Sequence, residues 1–97
     1  QEARHLQAAR ANSQSADEVL PHLVRAWRVQ PDNPDTLFKI GELMRQRSAA
    51  GRAGYEAEGW AAVAWLRRAL AANPRQPHYW IALGRTLHWL DEMDGAR

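Results

Sequence analysis

Pro77-His78-Tyr79-Trp80-Ile81-Ala82-Leu83-Gly84-Arg85-Thr86-Leu87 begins three residues after Pro74, which closes the run Trp65-Leu66-Arg67-Arg68-Ala69-Leu70-Ala71-Ala72-Asn73. The spacing predicts one helix ending, a very short turn, and a second helix opening at proline, whose missing N–H is no loss at the first helical position. Displacing the chain by 43 residues lays Pro34 on Pro77, Leu37 on Trp80, Ile40 on Leu83, Gly41 on Gly84 and Met44 on Leu87. The same displacement lays Leu23 on Leu66, Arg25 on Arg68, Ala26 on Ala69 and Pro31 on Pro74. One constant shift that matches so many positions marks an internal repeat, and a repeat of this period points to a stacked-unit architecture.

Leu37, Ile40, Gly41 and Met44 fall at i, i+3, i+4 and i+7, one face of a helix, and Trp80, Leu83, Gly84 and Leu87 do the same. Both faces are expected to point inward. A glycine inside a helix costs about 1 kcal/mol against alanine. Gly41 and Gly84 therefore imply neighbouring helices at close approach, with Ala26 and Ala69 as the small residues that face them.

The pattern Trp80-x2-Leu83-Gly84-x2-Leu87, together with Ala62, Leu66, Ala69 and Pro74 on the preceding helix, resembles the tetratricopeptide repeat over roughly residues 16–97. Two departures stand out. That repeat is usually ~34 residues long, so the longer period here leaves about nine residues extra between the two helices of the middle unit. Met44 and Leu87 stand where the family usually has tyrosine. The resemblance implies an all-α single domain over 1–97, built of antiparallel helical hairpins stacked as a right-handed superhelix of about 2.5 repeats. Its units would be roughly 1–31, 34–74 and an incomplete 77–97.

Composition fits a small globular domain. Of 97 residues, 45% are hydrophobic and 25% charged, which argues against disorder. No run of 18 apolar residues predicts a membrane-spanning helix. There is no cysteine, so disulfides and thiolate chemistry are out. The first residues do not read as a secretory leader, which a mature chain would lack in any case. The compartment stays open between cytoplasm and periplasm, with the cytoplasm slightly favoured. Twelve of the thirteen cationic side chains are arginine and Lys39 is the lone lysine, which reads mainly as the coding bias of a GC-rich bacterial genome.

Taken in order, residues 1–12 are expected to be helical on a thin stripe of Ala3, Leu6 and Ala9. A second helix runs to about Val29, capped either by the box Ser15 to Glu18 or by Asp17, with Val19, Leu20, Leu23, Ala26 and Trp27 inward and Pro21 near its start. Asn33 is the expected cap of a third helix from Pro34 to about Arg47. The glycines of Ser48–Gly59 place a turn near Gly51–Gly54, with both flanking helices gaining a turn. The fourth helix, about Tyr55 to Ala72, buries Trp60 or Ala61, then Val63, Leu66, Ala69 and Leu70. The fifth runs from Pro77 to about Leu90. Asp91 to Arg97 reads as a turn and the opening of a sixth helix, with Ala96 in the register of Ala62. On that register the helix that should cover Leu83, Leu87 and Leu90 is missing, so the chain is expected to be a piece of a longer protein, able to self-associate through its uncapped last repeat.

No catalytic constellation is present. His88 and Glu92 are four residues apart and His78 is ten from His88, but there is no His-Glu-x-x-His and no cysteine to hold a metal. No Ser–His–acid signature occurs, and Gly51, Gly54 and Gly59 follow no strand, so they form no phosphate loop. A net charge of +2 with interleaved acids argues against nucleic acid. The expectation is a non-enzymatic chain with no cofactor and no metal.

The family resemblance implies that the first helix of each pair lines a concave, peptide-binding face. Carried over residue by residue, that face holds Asp35, Phe38, Lys39, Glu42, Arg45 and Gln46, then His78, Ile81, Ala82, Arg85, His88 and Trp89. The candidate peptide-binding residues are Phe38, Lys39, Glu42, Arg45, His78, Ile81, Arg85, His88 and Trp89, aromatic and arginine-rich as binding hot spots are. One variant of the family clamps chaperone C-terminal carboxylates with lysine and asparagine. Phe38 and Glu42 stand at those positions here, which argues against that activity. The partner expected is a protein, as peptide or helix. The alternatives are a structural or regulatory arm of a larger bacterial enzyme or assembly, and an RNA-binding helical repeat.

Overall fold

A computed structural model describes residues 18–51 and 53–95. The described residues are helical with short turns and contain no strand. The helices are α1, whose described part spans 18–29, α2 (Pro34–Ala49), α3 (Tyr55–Ala72) and α4 (Pro77–Gly95). The stripe expected over 1–12, both candidate caps of α1 (Ser15 and Asp17) and the register of Ala96 lie outside the described residues.

Local chemistry sets the helix ends. The Asn33 side chain accepts hydrogen bonds from the Asp35 and Thr36 backbone N–H groups at 3.0 and 3.4 Å, and Pro34 follows it at the first helical position. Asp35 in that first turn suits the positive end of the helix dipole. Asn33→Ala is expected to lower stability by about 1 kcal/mol, read as a lower urea midpoint at unchanged m-value. α2 ends at Ala49, and two residues on the chain turns at Gly51, whose φ of +73° is the left-handed conformation that glycine alone adopts cheaply, while Gly54 opens α3 at φ +89°. Each flanking helix thus takes up part of the long segment between α2 and α3, as the alanines and glutamates predicted.

The contacts show α2 and α3 to be antiparallel. Gly41 meets Leu66 near the middle, while Ser48 meets Tyr55 and Gly59 at one end. A Cβ on Gly41 would lie 2.9 Å from Leu66 Cγ and 3.3 Å from its backbone nitrogen, so only glycine lets the two helices come this close. Arg47 Nε lies 2.9 Å from Glu58 Oε2 across the same pair. α4 runs antiparallel to α3, joined at one end by Trp80 Nε1 donating to Pro74 O (2.9 Å) and at the other by Leu90 against Gly59. Leu37, Val63, Leu66, Ala69, Leu70, Tyr79, Ala82, Leu83 and Leu90 form one buried cluster. α1 joins it through Trp27, edge-on to Trp65 at 5.4 Å, with the Arg68 guanidinium over both rings.

Several expectations need correction. Trp80 is 55% exposed and Gly84 has nothing within 4 Å of its would-be Cβ. α4 buries Leu83 as expected, but with Tyr79, Ala82, Thr86 and Leu90 in place of Trp80 and Gly84. Leu83 and Leu90, expected to lack a cover, are buried by α3. The inward stripe of α2 faces α3, but no helix among the described residues lies over Trp80 and Gly84 of α4, which stay outside, while Leu87 packs partly against the core. Ala26 is exposed, and Leu66 rather than a small residue faces Gly41. Trp60 is 54% exposed, which leaves Ala61 as the half-buried choice, while Ala62 is fully buried. Val19 is exposed, and Leu20 and Leu23 are half-buried. The expected turn at Asp91 is absent: α4 continues to Gly95, because no glycine or proline stands between Asp91 and Asp94.

Candidate functional site

Residues 38, 42 and 45 of α2 and residues 78, 81, 85 and 88 of α4 each recur at helical spacing and so share a face of their helix. Tyr79 holds the two helices together beneath that surface. Its ring is buried and stacks on Phe38 at 4.8 Å, and His78 sets its ring edge-on to Phe38 at 5.1 Å. Burial raises the Tyr79 phenol above its ordinary pKa, and the Asp35 carboxylate adds to that shift. The phenol is therefore neutral at physiological pH, and the aromatic patch carries no charge of its own.

The polar members are mostly paired within their own helix. Arg45 donates twice to Glu42, from Nε to Oε1 at 2.8 Å and from the terminal nitrogen to Oε2 at 3.0 Å. That hydrogen-bonded carboxylate raises the Arg45 pKa further, against the opposing effect of burial. Lys39 pairs with Asp35 at 3.0 Å and His88 with Glu92, both in the open, where such pairs contribute little. Arg85 is exposed and has no ion-pair partner among the described residues. Ile81, one turn before it, is 53% exposed.

The structure thus brings Phe38, His78, Ile81 and Arg85 to one patch: an aromatic stack, an exposed aliphatic side chain and a cation with no ion-pair partner among the described residues. Gln46 is exposed and Ala82 is buried. Trp89 stands apart. It is half-buried, its indole N–H donates to Ser48 Oγ at 2.8 Å, and its ring meets Tyr55 edge-on at 6.3 Å. It fastens α4 to the α2–α3 turn. Sequence reasoning missed Tyr79, whose neighbour Trp80 drew the repeat register, and Ser48, a small polar residue with no motif around it.

No group of three or more His, Cys, Asp or Glu side chains among the described residues is arranged to hold a metal. No helix among them is long and apolar enough to cross a membrane. Comparison with protein-family models, curated protein sequences and solved structures gives no match.

Proposed function

We propose that this chain is a tetratricopeptide-type helical-repeat module that recognises a peptide or partner helix on the concave side of its stacked hairpins, through α2 and α4. The repeat register and the antiparallel order of α2, α3 and α4 support the architecture. One observation carries the functional reading: Ile81 stands 53% exposed beside the exposed Arg85 and one turn from the Phe38–Tyr79–His78 rings. An apolar anchor next to a cation and aromatic surface is the make-up of an interaction hot spot. It suits a ligand that offers an apolar side chain and, beside it, a carboxylate.

A peptide library displayed on phage and panned on the immobilised chain tests this. The expected consensus pairs an apolar residue with an acidic one. Arg85→Glu is expected to weaken the selected peptide at least ~30-fold, about 2 kcal/mol, and Ile81→Ser by a similar amount. Absence of any consensus, or a consensus whose affinity ignores both variants, would sink the reading. A structural arm is the second reading, favoured by the pairing of Asp35 with Lys39, Glu42 with Arg45 and His88 with Glu92. An arm predicts that charge reversal at Arg85 and Arg45 changes no binding at all.

A further inference from the structure

Trp80, Gly84, Leu87, Asp91 and Asp94 follow one another at intervals of four, three, four and three residues, a single stripe along the whole of α4. The stripe borders α3, whose exposed Glu56 and Trp60 line a cleft of about 360 Å³ together with Leu87, Leu90, Asp91 and Asp94. Its first three positions repeat Leu37, Gly41 and Met44 of α2, the stripe that α3 covers. At Gly41 a helix approaches until a Cβ would touch Leu66, whereas Gly84 faces open space. α4 therefore presents an uncovered helix-receiving surface at Trp80 and Gly84, with Trp80 and the neighbouring Trp60 of α3 each more than half exposed.

Charge decides what fits this surface. One half carries Asp91, Asp94 and Glu56. The other half, around Trp80, carries Arg67, seven residues beyond Trp60 on the same side of α3, and Arg75, in the α3–α4 turn. Arg67, Arg75, Asp91 and Asp94 are all exposed and have no ion-pair partner among the described residues. A surface acidic at one end, basic at the other and apolar between is complementary to itself under a two-fold rotation, which is what an isologous dimer requires. An α2- or α3-type helix would instead bring Asp35, or Glu56 and Glu58, in its first turn against Asp91 and Asp94.

We propose that the α3–α4 groove is a homodimer interface in which α4 packs antiparallel on α4 of a second copy, Gly84 near the two-fold axis. Asp91 and Asp94 of one copy then lie over Arg67 and Arg75 of the other. This surface is separate from the patch of Phe38, Ile81 and Arg85, so either reading can fail alone.

Sedimentation velocity over a concentration series tests it on the 97-residue chain. The expected result is a monomer–dimer equilibrium that weakens as salt rises. The variants Asp91→Lys/Asp94→Lys and Arg67→Glu/Arg75→Glu each place like charges in contact at both ends, and each is expected to raise the dissociation constant at least ~30-fold. Mixed in equal amounts, the two variants restore opposite charges at both ends and are expected to form a one-to-one heterodimer. Gly84→Gln introduces a side chain into open space in the monomer, so it folds, yet it blocks the helix crossing and abolishes the dimer. A chain that stays monomeric up to millimolar concentration overturns the proposal. So does a dimer indifferent to Gly84→Gln, or two charge variants that fail to pair when mixed.

Discussion

Ser48→Ala is expected to lower the unfolding free energy by about 2–3 kcal/mol, an effect well out of proportion to the loss of one oxygen atom. Ser48 is fully buried. Its hydroxyl donates to the Tyr55 carbonyl at 2.6 Å and accepts from the Trp89 indole N–H at 2.8 Å. It is one atom shared by the end of α2, the start of α3 and the middle of α4. Alanine leaves the half-buried Trp89 indole N–H without its acceptor and removes the hydroxyl's bond to the first turn of α3, and a donor stranded in this way costs about 1–3 kcal/mol. The neighbouring Gly59 makes matters tighter, because a Cβ there would stand 3.0 Å from the same hydroxyl and 2.6 Å from Leu90 Cδ2, so nothing can easily shift in to compensate. For a chain of 97 residues the loss corresponds to a melting temperature roughly 10–20 °C lower. Urea unfolding of Ser48→Ala, Trp89→Phe and the double variant separates the contributions. A coupling of about 1 kcal/mol or more is expected between the two sites. Strictly additive costs would mean that the indole and the hydroxyl do not meet.

That three-way junction was invisible in the sequence for a physical reason. A serine between arginine and alanine carries no periodic signal, and its role appears only once the glycines at 51 and 54 have turned the chain back on itself. Features with a local cause were legible. Asn33 before Pro34 marks a helix start whatever lies beyond, and so does the pair of left-handed glycines that ends α2 and begins α3. The choice between Tyr79 and Trp80 was different in kind. The two are 100° apart on the helix, both are large and aromatic, and the one that turns inward is set by where α2 and α3 stand. The register of the repeat favoured Trp80 because Leu37 is its counterpart, but Leu37 is covered by α3 and Trp80 is covered by no described helix. The same register puts Trp89 on the recognition face, and its N–H instead meets Ser48. Phe38, Ile81 and Arg85 were legible as one face because spacing alone gives that. Which of their charged neighbours were already paired depended on rotamers the sequence does not encode.

Gly41→Ala and Gly84→Ala are expected to change stability in opposite directions, by a combined difference of about 1–3 kcal/mol. Each substitution removes a mid-helix glycine, which by itself favours the folded state by about 1 kcal/mol. At Gly84 nothing opposes that gain, since the added methyl meets no atom within 4 Å. At Gly41 the methyl would stand 2.9 Å from Leu66 Cγ, 3.0 Å from Cδ2 and 3.3 Å from the α3 backbone nitrogen. Leu66 is fully buried and cannot swing aside, so α3 itself must move away from α2. Overpacking of this kind costs about 1–3 kcal/mol, more than the helix propensity returns. Urea unfolding at low micromolar protein, where any dimer is dissociated, measures both. If both variants are stabilised, α3 does not approach α2 at Gly41 and the account of the hairpin is wrong. If both are destabilised, the stripe on α4 is covered within the monomer, and it is not available to a second copy. Opposite signs would show that two glycines in the same position of a repeat hold different posts, one closing a helix pair and one leaving a helix face open.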